Sequence, residues 1–224
     1  MLSAIIVAAG SSTRAGFDKL FAPLAGRPVI EHSIHAFERA QCVDEVIVVS
    51  REAIFPSLRA LTGQFRKVRA VVQGGERRQD SVRAGLDAVS NTDFIAVHDA
   101  ARPLITAKEI ERVFAAAVKH GAAVLAAPVG ETLKIADRNQ CVIGSIDREN
   151  VFAMQTPQIF ARDLLVEAYN RVAKDSLAIT DEVSAVQHVG GHATIVRAED
   201  HNPKITFPND LAMAELILRT RGQS

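Results

Sequence analysis

The first residues able to do chemistry lie in a loop rich in glycine and serine near the start of the chain. Residues 4–9 form an uninterrupted apolar run that stops at Gly10, as expected for a buried strand of a parallel sheet. The small residues that follow would let backbone N–H groups approach phosphate oxygens, and Arg14 and Lys19 add positive charge. The loop therefore predicts a phosphate site, and a plain glycine-rich turn is the alternative.

Two common nucleotide-binding motifs do not fit this loop. Five residues separate Gly10 from Gly16 and Phe17 follows, whereas the Walker motif needs four residues between its glycines and then Gly-Lys-Ser/Thr. Ser12 occupies the place of the second glycine in the dinucleotide motif GxGxxG. The loop therefore favours neither a P-loop ATPase nor a dinucleotide-dependent oxidoreductase.

A second polar segment, residues 73–81, follows a predicted strand at 68–72. Its adjacent glycines, Gly74 and Gly75, would free the backbone to meet the edge of a flat ligand, and Ser81 could bond that ligand from the next helix. Taken alone, the segment is explained equally well by a simple turn.

A third segment, residues 98–103, reads HDAARP and places charged residues at the end of another apolar strand. Asp99, at the carboxyl end of a strand, is well placed to hold Mg²⁺, and an ion pair with Arg102 that serves structure alone is the alternative. For His98, packing or hydrogen bonding is favoured over proton transfer. Because doubly wound sheets bind ligands at the carboxyl ends of their strands, the three segments together predict one nucleotide site.

The elements that must position these segments alternate between short apolar strands and longer amphipathic helices. Thr106 and Glu109 form a capping-box pattern for a helix that Gly121 ends. The other predicted helices begin at Pro28 or cover 79–89, 161–173, 180–188 and 208–220. The predicted strands cover 4–9, 46–49, 68–72, 94–97, 122–127 and 193–197. This rhythm predicts an α/β fold: a Rossmann-like, doubly wound and mostly parallel sheet.

The alternation of strands and helices is interrupted after Pro128, where residues 132–135 and 141–143 flank a polar turn. This pattern predicts a β-hairpin inserted into the sheet order. An extended hairpin on an α/β body often docks on a second subunit, so we expect a homodimer. We therefore expect a single nucleotidyltransferase domain over residues 1–224, with a dimerisation arm at about 130–146.

The composition limits the possible partners. Lys plus Arg and Asp plus Glu both total 26, so net charge gives no general attraction to nucleic acid or to an anionic membrane. Trp is absent, which argues against stacking platforms for single-stranded nucleic acid. No apolar run is long enough to span a bilayer, and Cys42 and Cys141 are expected as buried free thiols. We expect a cytoplasmic protein.

Taken together, the motifs resemble the cytidylyltransferases that act on 2-C-methyl-D-erythritol 4-phosphate in non-mevalonate isoprenoid biosynthesis. HDAARP at 98–103, followed by Thr-Pro-Gln at 156–158, is the most specific part of the resemblance. The other matching stretches are Ala8-Ala9-Gly10 with Arg14 and Lys19; Gly74-Gly75 with Arg78 and Ser81; Ala127-Pro128-Val129 with Thr132 and Lys134; Asp147-Arg148; Thr180-Asp181-Glu182; Lys204 with Thr206; and Asp210-Leu211-Ala212.

The resemblance implies that CTP and a polyol phosphate give a CDP-linked polyol and pyrophosphate. It implies that Arg14, Lys19 and Lys204 are the catalytic cations and that Asp99 holds Mg²⁺ or another divalent cation. The nucleotide-binding residues that it implies are Ala8, Ala9, Gly10, Ser11, Gly74, Gly75, Arg78, Ser81 and Ala100. Those for the acceptor are Arg102, Thr132, Arg148 and Thr180, and in the family the hairpin crosses to a neighbour, so Thr132 and Arg148 would act in the partner's site.

The sequence departs from the family at the loop lysine, because Asp18 stands where proline is common and puts an acid beside Lys19. Two other functions remain open. One is a cytidylyltransferase that uses ribitol 5-phosphate or another polyol phosphate. The other is a nucleotide-binding regulatory module without catalysis, which the set of Arg14, Lys19, Asp99 and Lys204 argues against.

Overall fold

The computed structural model describes residues 1–10 and 18–222. The strands are β1 (Leu2–Ala8), β2 (Pro23–Leu24), β3 (Arg27–Pro28), β4 (Glu45–Ser50), β5 (Val68–Gln73), β6 (Phe94–Asp99), β7 (Ala122–Pro128), β8 (Leu133–Ala136), β9 (Val142–Ile146), β10 (Phe152–Ala161) and β11 (Thr194–Arg197). The helices are α1 (Val29–Arg39), α2 (Phe55–Thr62), α3 (Arg78–Ala88), α4 (Ala107–His120), α5 (Arg162–Lys174), α6 (Glu182–His188) and α7 (Pro208–Thr220).

A seven-stranded sheet in the order β11-β7-β10-β6-β1-β4-β5 forms the centre of the fold. β1 pairs in parallel with β4 and β6, β4 with β5, and β7 with β11, whereas β10 runs antiparallel to both of its neighbours. β8 and β9 form a separate two-stranded antiparallel sheet. The predicted α/β fold with a mostly parallel sheet is confirmed, and the predicted hairpin is present.

Side chains of β1 are buried on both faces of the sheet, which explains its continuous apolar run. Ile6 packs on one face in a core that includes Ile34 of α1 and Val113 of α4. Ile5 points to the other face, where it joins the core that contains Val82 of α3 and helices α5 and α6. Helices therefore cover both faces, as the doubly wound prediction requires.

Besides the two-residue strands β2 and β3, strand β10 and helix α2 were not predicted from the sequence. Strand β10 contains Pro157, which lacks a backbone donor, and its register with β7 shifts between Met154 and Gln158. These features hide the alternation by which a strand is recognised. β6 also extends to Asp99, so the HDAARP motif begins inside the strand.

Three smaller expectations have mixed outcomes. Thr106 caps α4 by accepting from the Glu109 N–H at 3.3 Å, but the Glu109 side chain accepts from the N–H groups of Glu199 and Asp200 and does not complete a capping box. The buried-cysteine prediction is wrong, because Cys42 is half-buried and Cys141 is exposed, although both thiols are free. Within residues 1–10 and 18–222, no helix is long and apolar enough to cross a membrane.

Candidate active site

The carboxyl ends of four adjacent parallel strands form one edge of the sheet. Gly10 follows β1, Arg51 follows β4, Gly74 follows β5 and Asp99 ends β6. The Gly74 N–H donates to the Ser50 carbonyl at 2.7 Å, which joins the ends of β5 and β4. The three segments that the sequence singled out therefore meet at this edge.

The glycine pair after β5 is packed too tightly for any side chain. A Cβ on Gly74 would lie 2.7 Å from Ser81 Oγ and 2.8 Å from the Ala9 Cβ, and one on Gly75 would lie 2.5 Å from the Asp80 Cβ. The Ser81 hydroxyl is buried and donates to the Arg77 carbonyl at 3.2 Å. The predicted base-reading segment is thus fixed against both the first loop and α3.

Ala8 and Ala100 are buried and serve as scaffold at this edge. The Ala100 N–H donates to the Val7 carbonyl at 3.0 Å, and the Ala100 carbonyl accepts from Ser33 Oγ at 2.9 Å. Both main-chain groups of Ala100 are therefore used inside the fold. They hold the loop after β6 against β1 and α1.

Asp99 is held between two cations. Its Oδ2 lies 2.6 Å from Lys204 Nζ, and its Oδ1 accepts from Arg78 Nε at 3.1 Å. Burial alone would raise the pKa of Asp99, but Arg78 and Lys204 hold it well below its ordinary value. The carboxylate is therefore ionised at physiological pH, and its ion-pair partners are Arg78 and Lys204, not Arg102.

Arg78 connects Asp99 to a buried acid. Arg78 Nη1 and Nη2 donate to the two Glu182 oxygens at 2.6 and 3.0 Å, and Glu182 is fully buried. Tyr169 Oη donates to Glu182 Oε1 at 2.9 Å. The hydrogen bonds of Arg78 that the structure describes all go to carboxylates, so its predicted contact with the nucleotide stays a prediction.

Arg51, which the sequence did not single out, contacts two residues of the first loop, Gly10 and Asp18. Arg51 Nη1 donates to the Gly10 carbonyl at 2.6 Å, and its Nη2 lies 2.8 Å from Asp18 Oδ2. The acid beside Lys19 is therefore paired with a neighbouring cation. Lys19 Nζ donates to the Ile205 carbonyl at 2.9 Å, which brings this lysine to the segment that carries Lys204. Two of the predicted residues, Ser11 and Arg14, lie outside the described residues.

The HDAARP and Thr-Pro-Gln motifs interlock through His98 and Thr156. His98 Nε2 lies 3.2 Å from the Arg102 carbonyl, and Nδ1 lies 3.0 Å from Thr156 Oγ1. Since a carbonyl only accepts, Nε2 carries the proton and Nδ1 accepts from the Thr156 hydroxyl. Burial lowers the pKa of His98 to about 3, so the ring is neutral and acts in hydrogen bonding, as expected. Thr156 Oγ1 in turn accepts from the Asp99 N–H at 3.1 Å.

Arg102 lines the same region without an ion-pair partner among the described residues. Its Nη1 donates to the Asn202 carbonyl at 2.8 Å, whereas its buried Nε has no hydrogen-bond partner there. Burial lowers the pKa of Arg102, although the nearby Asp99 charge opposes this. A half-buried guanidinium with an unused donor is suited to an anionic ligand.

The remaining residues predicted to bind the acceptor substrate are exposed. Thr180 lies just before α6, and Thr132 and Arg148 flank the hairpin strands. The Arg148 guanidinium donates to the Gly130 carbonyl, and no described hydrogen bond or ion pair joins Thr132 or Arg148 to Asp99. Within one chain, the described hydrogen bonds therefore do not connect these two residues to Asp99.

Comparison with known proteins decides the family. The family model of "IspD: 2-C-methyl-D-erythritol 4-phosphate cytidylyltransferase" matches residues 2–220 of the chain.

The chain belongs to the IspD family.

Relatives named 2-C-methyl-D-erythritol 4-phosphate cytidylyltransferase include one from Symbiobacterium thermophilum, 41% identical over 99% of this chain and 94% of its own. Another, from Alkaliphilus oremlandii, is 42% identical over 99% of this chain and 96% of its own. Among solved structures, the enzyme of that name from Thermus thermophilus matches with a TM-score of 0.82 at 32% identity, covering 98% of this chain and 100% of its own. The IspD fold therefore extends over nearly the whole chain.

Proposed function

We propose that this protein transfers a cytidylyl group from CTP to 2-C-methyl-D-erythritol 4-phosphate, giving 4-CDP-2-C-methyl-D-erythritol and pyrophosphate. The observation that carries the proposal is the cluster at the end of β6. In a chain of the IspD family, Asp99 and Lys204 meet there at 2.6 Å, beside the first loop and the glycine pair. The protein is a nucleotidyltransferase of the α/β class.

The reaction needs electrostatic help more than proton transfer. A phosphate oxygen of the acceptor attacks the α-phosphorus of CTP, a new P–O bond forms, and the bond to the leaving pyrophosphate breaks. The attacking oxygen is already anionic near neutral pH, so no general base is required. His98, buried and neutral with a pKa of about 3, is not suited to that role. Catalysis then consists of in-line positioning and stabilisation of charge on the phosphates.

Lysines and arginines supply that charge. The Lys204 side chain is 37% exposed, so its ammonium can reach a phosphate while Asp99 holds it in place. Lys19 approaches from the first loop, anchored on the Ile205 carbonyl next to Lys204. We assign both lysines, together with Arg14, to the triphosphate and its transition state.

The donor set at Asp99 fits a divalent cation. Mg²⁺ in nucleotide enzymes is usually held by one or two carboxylates together with substrate phosphates and water. Asp99 is ionised, and each of its oxygens keeps a second lone pair beyond its bond to Arg78 or Lys204. The described residues contain no cluster of three His, Cys, Asp or Glu that could hold a metal, so the phosphates would supply the other ligands. When bound, the cation would reduce the charge of the triphosphate.

The backbone around Gly74 and Gly75 is proposed to read the cytosine. This segment is rigid because both glycines touch their neighbours, and a rigid polar edge rejects a base that leaves its groups unpaired. We place the acceptor phosphate near Arg102, whose unused donor is buried, and near Thr180.

We further propose a homodimer built through the hairpin arm of β8 and β9. Ile135 and Ile146 lie on one face of the arm and are 46% and 44% exposed, whereas Lys134 and Ser145 bond each other on the opposite face. Exposed apolar side chains on such a ribbon favour a protein contact. Thr132 and Arg148 flank the arm, so the dimer would carry them to the partner's site. A protein that sediments as a monomer at micromolar concentration would remove this part of the proposal.

A pyrophosphate-release assay tests the function. Purified protein, CTP and Mg²⁺ are mixed with 2-C-methyl-D-erythritol 4-phosphate or with ribitol 5-phosphate, and release is compared. We expect release with the first acceptor. Preference for ribitol 5-phosphate would move the protein to another polyol, and CTP binding without release for any acceptor would indicate a regulatory module.

A further inference from the structure

A chain of five polar side chains runs from the protein interior to the surface of the active site. It is formed by Tyr169, Glu182, Arg78, Asp99 and Lys204. Only the last three stand at the site itself, and the first two are buried behind it at 3% and 0% exposure. Among the described residues, Tyr169 and Glu182 have no hydrogen bond to Asp99 or Lys204, and Glu182 is connected to them only through Arg78.

The hydrogen bonds of Arg78 indicate what Glu182 does. Glu182 accepts from Nη1 and Nη2 at 2.6 and 3.0 Å, and in the orientation that this pairing gives the guanidinium, Nε is the nitrogen that donates to Asp99, at 3.1 Å. Arg78 therefore contacts one Asp99 oxygen, and the other is left for Lys204 at 2.6 Å.

We propose that Glu182 is a positioning residue: by pairing with both terminal nitrogens of Arg78, it holds the guanidinium in the orientation in which Arg78 contacts one oxygen of Asp99 and leaves the other for Lys204. An arginine fork pairs readily with both oxygens of a carboxylate. If the charge of Glu182 were absent, the fork would turn to Asp99 and displace the Lys204 ammonium. Lys204 would then lose the contact that places it beside the α-phosphate. This inference rests on the proposed catalytic role of Lys204.

Tyr169 supports this arrangement from behind. Its hydroxyl donates to the Glu182 oxygen that also receives the 2.6 Å bond from Arg78, and so fixes the orientation of the carboxylate. Burial, followed by the charge of Glu182, raises the pKa of Tyr169 well above its ordinary value, so the hydroxyl remains a donor.

The backbone of Glu182 is held by contacts that do not involve its carboxylate. Asp181 caps α6 by accepting from the Ser184 N–H at 3.0 Å, and Gln158 Oε1 accepts from the Val183 N–H at 3.2 Å. Removal of the charge at 182 should therefore leave the start of α6 in place. This makes Glu182→Gln a usable test of position.

The kinetic test compares Glu182→Gln and Tyr169→Phe with wild type in the pyrophosphate assay, per folded molecule. We expect kcat to fall about 10- to 100-fold in Glu182→Gln, since small misplacements of catalytic groups cost up to about 100-fold, with the KM for CTP within about threefold. A fall of more than about threefold is expected in Tyr169→Phe. Glu45→Gln is the matched control, because Glu45 is also buried but lies at the opposite end of the strands, bonded to Ser3 and Ser90.

Two further measurements separate positioning from stability. In a Lys204→Met background, Glu182→Gln should have little additional effect on kcat, whereas its effect on unfolding should persist, because coupled residues are non-additive. A crystal structure of Glu182→Gln should show the Arg78 fork on Asp99 and Lys204 moved away.

The outcomes are distinguishable. If the wild type is active and both folded variants stay within about threefold of its kcat, the positioning role is overturned while the proposed function stands. Additive effects with Lys204→Met, or an unmoved Arg78 in the crystal, also overturn it. If Glu182→Gln does not fold, Tyr169→Phe decides alone by the same threshold. An inactive wild type contradicts the function, and the crystal structure still tests the geometry.

Discussion

Replacement of Lys204 by Met tests the electrostatic account of catalysis most sharply among single substitutions. Met keeps most of the length of the side chain and removes the ammonium that lies 2.6 Å from Asp99. A unit charge about 4 Å from a phosphate oxygen is worth about 4 kcal/mol at an effective dielectric constant of 20. This agrees with the loss of about 2.7–4 kcal/mol on removal of one transition-state donor, so kcat should fall about 100- to 1,000-fold.

Stability should change much less than activity in Lys204→Met. Lys204 is 37% exposed, so solvent screens its ion pair, and Asp99 keeps its bond to Arg78. We expect a loss of about 1 kcal/mol or less in the free energy of unfolding. The assays are pyrophosphate release with both substrates saturating and unfolding in urea.

The control for Lys204→Met is Lys108→Met. Lys108 also forms an ion pair, at 3.0 Å with Glu199, but on an exposed part of α4. It should keep kcat within twofold of wild type, which is about 0.4 kcal/mol. A Lys204→Met enzyme that loses less than about threefold in kcat would refute the role assigned to this lysine.

Four further outcomes are expected. Arg51→Met should lower kcat/KM for CTP about 10-fold, because Asp18 is then an unpaired acid beside Lys19. Asp18→Asn in the same protein should restore part of the lost kcat/KM, and no rescue would argue against the pairing of Arg51 with Asp18. Gly74→Ala should raise the KM for CTP about 10-fold or more, because the added Cβ would lie 2.7 Å from Ser81 Oγ. Gly63→Ala is the control, since its Cβ would lie 3.5 Å from its nearest atom, and it should leave the KM unchanged. Equal effects of the two substitutions would contradict the tight packing at Gly74. Arg148→Ala should raise the KM of the polyol phosphate with that of CTP little changed, and the reverse would show that the pockets are misassigned. Acidification from pH 7 to 5 should lower the free energy of unfolding by about 2 kcal/mol through His98, because its folded pKa of about 3 lies below the unfolded value near 6.5. This contribution to stability is present above pH 6.5 and is lost as the pH falls towards 3. Urea unfolding of His98→Asn should therefore depend less on pH than that of wild type, and an equal dependence would contradict this.

Local sequence predicted those parts of the fold whose signal is local. The strand β1 has side chains buried on both faces, and a fully buried strand needs a continuous apolar run, which residues 4–9 display. Strand β10 has no such signal, because Pro157 interrupts it and its burial changes along its length from exposed to buried. Its place between β6 and β7 follows from tertiary pairing and not from its own pattern.

The site shows the same limit. The position of Asp99 at a strand end could be predicted from the apolar residues before it, but its partner could not. An ion pair with Arg102, three residues away, was the alternative to a metal site, whereas the structure pairs Asp99 with Lys204 across a separation of 105 residues. Glu182 is likewise 104 residues from Arg78, and no spacing rule connects them.

Arg51 illustrates a compensation that a motif does not reveal. The sequence places an acid at Asp18 beside Lys19, which alone would weaken a phosphate site. The fold brings Arg51 from the end of β4 to within 2.8 Å of that acid. The two residues are 33 positions apart, so only the alignment of β1 and β4 in the sheet makes their pairing visible.

A direct competition between acceptor substrates tests cytidylyl transfer to 2-C-methyl-D-erythritol 4-phosphate. Wild-type protein, CTP and Mg²⁺ are incubated with equal amounts of this acceptor and ribitol 5-phosphate, and the CDP-linked products are separated by mass. We expect 4-CDP-2-C-methyl-D-erythritol to be the dominant product and to form together with an equal amount of pyrophosphate. A dominant CDP-ribitol product, or CTP bound with no CDP-linked product at all, would contradict it.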